Sequence, residues 1–107
     1  MSDLDATFAA LADPVRRAII TRLAAGEATP GELAEPFPIT PQAISKHLKV
    51  LEGAGLITRG RDAQRRPCRL RPEPLAETAD WIDAHRRGTG ERYDRLEQLL
   101  HEMKEST

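Results

Sequence analysis

The spacing of apolar positions changes several times along the 107-residue chain, and each change predicts an element. Leu4, Phe8 and Leu11 recur at steps of four and three, which predicts a short first helix over 3–11. Asp3 or Asp5 suits the positive end of that helix. Asp13-Pro14 restarts the chain, with Asp13 as the cap and Pro14 at the first helical position. The second helix runs to about Ala25 with Val15, Ile19, Ile20 and Leu23 inward, and Gly26 ends it. Arg16, Arg17 and Arg22 read as solvated side chains of this helix. Thr29-Pro30-Gly31-Glu32 has capping-box spacing and predicts a short helix over 30–35. Leu33 and Ala34 then face the core, Pro36 and Pro38 stop the helix, and Phe37 and Ile39 plug the space between helices.

Residues 40–56 carry the clearest pattern. Thr40 is an N-cap, Pro41 takes the first position and Gly55 stands just past the end. Ile44, Leu48 and Leu51 form an inward stripe. Gln42, Ser45, Lys46 and Lys49 fall on the other side, with no acid until Glu52. Such a face suits the major groove of DNA, where Gln and Ser read base edges and Lys holds phosphates. Two short helices joined by a tight turn, the second with an outward polar face, follow helix-turn-helix logic.

Beyond Gly55 the period drops to two. Residues 56–60 predict a strand, 61–66 a polar turn and 67–71 a returning strand, so 56–71 is a wing. Arg61, Arg65 and Arg66 load its tip with charge for phosphates or the minor groove.

Pro72 and Pro74 precede a last helical segment within 74–104. Leu75, Ala79, Ile82, Arg86, Thr89, Tyr93, Leu96, Leu100 and Met103 alternate steps of four and three, a heptad seam. Gly88 and Gly90 cost about 2 kcal/mol relative to alanine, so the segment is either kinked there or divided in two. A seam this long on so small a module favours a homodimer through the N- and C-terminal helices. The expected interface residues are Leu4, Phe8, Leu75, Ala79, Ile82, Tyr93, Leu96 and Leu100.

Length and composition narrow the class. A chain this short is one domain with a modest core, here 3–72 for DNA binding and 74–104 for dimerisation. Its aromatics are Phe8, Phe37, Trp81 and Tyr93, so aliphatic side chains do most of the packing. The single cysteine, Cys68, permits no internal disulfide and reads as a structural or surface thiol. No long apolar run and no signal-peptide pattern is present, so no membrane partner and a cytoplasmic location are expected. The net charge of −1 hides an asymmetry. Residues 41–71 hold eight Lys or Arg against two acids, a net of +6, and the remainder holds eight against fifteen, a net of −7. A basic centre of this kind is the footprint of a polyanion partner, here double-stranded DNA.

Several pieces in this order resemble the ArsR/SmtB-type winged helix-turn-helix repressors. They are Leu11-Ala12-Asp13-Pro14 with Arg16-Arg17, Gly31-Glu32-Leu33-Ala34, the run Ser45-Lys46-His47-Leu48-Lys49-Val50-Leu51, Gly55-Leu56-Ile57 and the Arg-rich hairpin. The Trp81 segment is similar to a subgroup that ends in a long dimer helix. The resemblance implies a mostly α fold with a small β-hairpin and a homodimeric, often autoregulatory repressor. It puts the DNA-reading positions on Thr40, Gln42, Ser45 and His47, with phosphate contacts from Lys46 and Lys49. Helix geometry leaves His47 two places, at the DNA or leaning inward. The chain departs from the family's metal sensors, since no cysteine lies within Gly31-Glu32-Leu33-Ala34-Glu35. Asp83-Ala84-His85 imitates half of another metal motif, but His101 lies too far on to complete it. No metal and no cofactor are therefore expected, and the sequence names no effector.

The leading reading is a dimer on a two-fold operator. The alternative keeps the fold and makes the basic face a docking surface for an acidic protein. No catalytic pairing, glycine-rich phosphate loop or metal-ligand set points to an enzyme.

Overall fold

A side-chain oxygen followed by proline starts three of the helices. The computed structural model describes residues 3–61 and 65–105, with the backbone alone for 3, 87–93 and 105. The element order is α1 (Asp3–Leu11), α2 (Pro14–Ala24), α3 (Pro30–Ala34), α4 (Pro41–Gly53), β1 (Ile57–Arg59), β2 (Cys68–Leu70) and α5 (Glu73–Glu105). Asp13 accepts the Arg16 N–H at 3.0 Å to cap α2, and Thr40 accepts the Ala43 N–H at 3.1 Å to cap α4. At α3 the capping box is closed: Thr29 Oγ1 accepts from Glu32 N at 3.2 Å, and Glu32 accepts from Thr29 N at 3.2 Å.

The C-terminal end of α4 is set as firmly. Leu56 N–H reaches the Leu51 carbonyl at 3.0 Å, and Gly55 N–H reaches the Glu52 carbonyl at 3.0 Å. These two bonds make a Schellman motif, which requires a left-handed residue, and Gly55 adopts φ +77°. The helix therefore stops at Gly53 with Ala54 as its C-cap, and Gly55 stands just past its end as the pattern expects.

The chain forms two compact units, Met1–Ala76 and Glu77–Thr107. In the first, α2, α3 and α4 converge on the stripe Ile44, Leu48 and Leu51, each 2% exposed or less. Ile19, Leu23, Leu33, Leu56, Ile57 and Cys68 complete this core, and Phe37, Ile39 and Leu75 pack against it half-buried. The hairpin is antiparallel, pairing Ile57 with Leu70, Thr58 with Arg69 and Arg59 with Cys68. Hydrogen bonds from Arg71 N to Leu56 O and from Gly60 N to Pro67 O extend the ladder at both ends. A Cβ on Gly60 would come within 2.9 Å of the Pro67 ring, so this position needs glycine. The sequence reading did not foresee that Ala28 pairs with Cys68, exchanging two backbone bonds of 3.1 and 2.7 Å. The tip at 62–64 lies outside the described residues.

One expectation is corrected here. Arg17 and Arg22 are exposed as expected, but Arg16 is half-buried, and all three also donate to backbone carbonyls. Arg16 donates through Nε to Ala10 O at 2.6 Å and through Nη2 to Ala9 O at 3.2 Å. Arg17 donates to Leu11 O at 2.8 Å, and Arg22 to Gly26 O at 3.1 Å. The last carbonyls of a helix have no partner within it, and Arg16 and Arg17 supply one at the end of α1.

In the second unit α5 stays helical through Gly88 and Gly90. Trp81 and His85 stack with ring centroids 4.2 Å apart, and His85 Nδ1–H donates to the Trp81 carbonyl at 2.8 Å. Leu96, Leu99, Leu100 and Met103 are each more than half exposed.

Two measurements check this account. The Asp13 carboxylate is held below its usual range, first by the Arg16 N–H. Glu32 is held down first by the Thr29 N–H and then by the Thr29 hydroxyl. A depressed carboxylate stabilises the fold fully above its unfolded value and loses that contribution as pH falls through the folded value, here below about pH 4. The pair Asp13→Asn and Glu32→Gln keeps both caps without the charge. The urea midpoint should therefore fall modestly at pH 7, where the parent's charges contribute, and the gap to the parent should close by pH 3. Cys68 is fully buried, and burial pushes its thiol up. A thiol reagent should therefore label it at the rate of unfolding, and labelling at the rate of a free thiol would refute the packing.

Candidate nucleic-acid interface

The interface is built from the turn between α3 and α4, the outer face of α4 and the hairpin. With Ile44, Leu48 and Leu51 buried, the helical period turns Gln42, Lys46 and Lys49 outward, and all three are exposed. Ser45 is half-buried at the edge of this face, and Thr40 is exposed beside its start. Val50 adds an exposed apolar side chain that the sequence reading had not assigned to the surface.

His47 has a different position. Its ring is half-buried, with Nδ1 3.3 Å from Arg16 Nη1 and 3.9 Å from Asp13 Oδ2. It therefore occupies the flank of α4 that meets the start of α2, away from the centre of the outer face. Sequence reasoning left His47 two places because the Arg16 contact spans 31 positions and no local pattern encodes it.

The hairpin cations divide into two groups. Arg61, Arg65 and Arg66 are exposed, and Arg66 adopts the left-handed φ of +43°. Arg69 pairs with Glu27, and Arg71 lies 4.0 Å from Glu73. Arg59 is half-buried, and its Nε is covered without a hydrogen-bond partner in the structure. Lys46, Lys49, Arg61, Arg65 and Arg66 are thus the exposed cations of the +6 segment that no carboxylate pair described above involves.

Of the residues expected at a subunit interface, Phe8, Ala79, Ile82, Leu96 and Leu100 are exposed, while Leu4 is half-buried. Leu75 packs against the core of its own unit. The Tyr93 side chain lies outside the described residues. Asp83 pairs with Arg86 at 3.3 Å, and His85 is turned onto Trp81. Among the described residues no helix is long and apolar enough to cross a membrane.

Known proteins share this arrangement. A helix-turn-helix domain family matches residues 11–60. The HTH-type transcriptional regulator Rv2034 of Mycobacterium tuberculosis is 46% identical over 79 residues, covering 74% of each chain. The transcriptional repressor SdpR of Bacillus subtilis is 36% identical, over 70% of this chain and 83% of its own. The crystal structure of an ArsR family transcriptional regulator superposes with a TM-score of 0.75 at 36% identity, covering 79% of this chain and 88% of the other. An ArsR-like transcriptional regulator from Rhodococcus sp. RHA1 gives 0.72 at 29% identity, covering 91% and 92%. Family match, relatives and fold agree, and the chain belongs to the ArsR family of winged helix-turn-helix proteins, DNA-binding regulators of transcription.

Proposed function

We propose that this protein is a dimeric, cytoplasmic repressor that binds a two-fold operator, including one upstream of its own gene. The observation that carries the reading is the outer face of α4, free of acids until Glu52 and flanked by the Arg-bearing hairpin. Thr40, Gln42 and Ser45 read base edges in the major groove. Lys46 and Lys49 hold the adjacent phosphates, and Arg61, Arg65 and Arg66 bring the wing to the backbone or minor groove. The name of SdpR, a transcriptional repressor, supports repression over activation.

Dimerisation rests on the apolar side chains that α5 and α1 leave exposed. Leu96, Leu99, Leu100 and Met103 of the second unit are 52–59% exposed and Phe8 of the first is 41% exposed, apolar side chains that a second copy would cover. Two α4 helices about 34 Å apart then meet successive major grooves of a palindrome.

Titration against the DNA upstream of the gene and a scrambled duplex, each across a salt series, tests the division of labour. Gln42→Ala or Ser45→Ala should cost the operator about 1–3 kcal/mol and leave the scrambled duplex unchanged. Arg65→Ala or Arg66→Ala should weaken both duplexes alike and reduce the salt slope by about 1 each. Loss of the same size on both duplexes from all four changes would defeat the assignment. Absence of binding at low salt would favour an acidic protein partner instead.

Sedimentation addresses the assembly. The parent should run at twice the chain mass. Leu96→Gln with Leu100→Gln should give folded monomers that no longer hold the operator. A parent that stays monomeric at micromolar concentration would rule the dimer out.

A further inference from the structure

Arg16 is a donor-only side chain whose guanidinium is committed on three sides. It holds Ala10 O at 2.6 Å and Ala9 O at 3.2 Å at the end of α1, and its Nη1 lies 3.3 Å from Nδ1 of His47 on α4. A guanidinium has no lone pair to offer, so Nδ1 must accept in this bond. A neutral imidazole that accepts at Nδ1 carries its proton on Nε2. The competing acceptor is the Asp13 carboxylate, which would favour a proton on Nδ1. Its Oδ2 is 3.9 Å away, beyond hydrogen-bond length, and already accepts the Arg16 N–H at 3.0 Å as the cap of α2. The geometry therefore gives His47 one tautomer.

The position of His47 decides what that tautomer can meet. At 3.6 residues per turn, His47 lies about 100° around the helix from Leu48 and about 140° from Gln42, and so falls outside the centre of the face that carries Gln42 and Lys49. A helix lying in the major groove turns its outer face to base edges and its flanks to the sugar-phosphate walls. We propose that Arg16 is a positioning residue that fixes His47 as an Nε2–H donor to a backbone phosphate. The inference rests on α4 entering the major groove. It makes His47 a contact that sets register on the duplex without reading sequence, and it links the carbonyl end of α1 to the DNA through one guanidinium.

A long-range proton–nitrogen spectrum of the free, full-length protein tests the first half without any variant. The expected result is a protonated Nε2 and a bare Nδ1 for His47. In Arg16→Met the ring should lose this bias toward the form that donates from Nδ1 to Asp13. A parent ring protonated at Nδ1 would overturn the proposal.

DNA titration tests the second half, with urea midpoints to verify folding. His47→Ala should weaken the operator and the scrambled duplex by the same factor, about tenfold, the size of a lost hydrogen bond to a charged group. His47→Gln, whose amide nitrogen sits near the Nε2 position, should recover most of that loss, and His47→Asn should not. A loss confined to the operator, or failure of His47→Gln to exceed His47→Ala, would overturn the phosphate contact. The Gln42 and Ser45 variants separate this failure from that of the groove reading. If they lose no discrimination, α4 does not read the groove, whereas the tautomer result stands on the free protein alone.

Discussion

Burial of Ile44, Leu48 and Leu51 is the constraint on which the rest of the DNA-binding unit depends. Truncating one such side chain costs about 2–5 kcal/mol, against a total of about 5–15 kcal/mol for a domain. A roll of α4 by one residue would bring Leu48 toward water and drive a polar side chain inward, so its orientation about its own axis is fixed. The outer face is then not chosen independently. Gln42, Lys46 and Lys49 face outward because the three apolar side chains cannot. The Thr40 cap and the Schellman turn at Gly55 fix where this face begins and ends.

The hairpin is held by the same core. Ile57 and Cys68 point into it from opposite strands, while Thr58 and Arg69 point out, as the two-residue period of a strand demands. The Ala28 bridge gives β2 a second neighbour at its loop-side end, Cys68, so a two-stranded hairpin, marginal by itself, gains a third segment there. Cys68 fits this place as a small apolar side chain. Burial disfavours its thiolate, so its contribution here is volume rather than reactivity.

What was legible in the sequence was local. The caps at Asp13, Thr29 and Thr40, the stop at Gly55 and the stripe of α4 all rest on spacings of three or four residues, and the structure has each of them. What was not legible depends on elements meeting across the fold. Arg16 and Arg17 look like surface cations until α1 ends against the start of α2 and presents its carbonyls. Ala28 forms a single bridge, and a single residue has no period to reveal it. His47 was ambiguous for the same reason, since its nearest partner lies on another helix.

The same distinction bears on charge. Counting Lys and Arg along the chain identified the basic centre but could not say which cations a polyanion meets. Arg69 and Arg71 already face carboxylates, and Arg16, Arg17 and Arg22 already hold carbonyls. A guanidinium engaged in this way must give up a protein acceptor before it reaches a phosphate, and a carboxylate beside it opposes the approach of DNA. Its part in counterion release is smaller than that of a cation facing solvent. In the proposed complex the salt dependence of binding would then follow more from exposed cations such as Lys46 and Lys49 on α4 and Arg61 and Arg66 on the hairpin, a set fixed by packing rather than by composition.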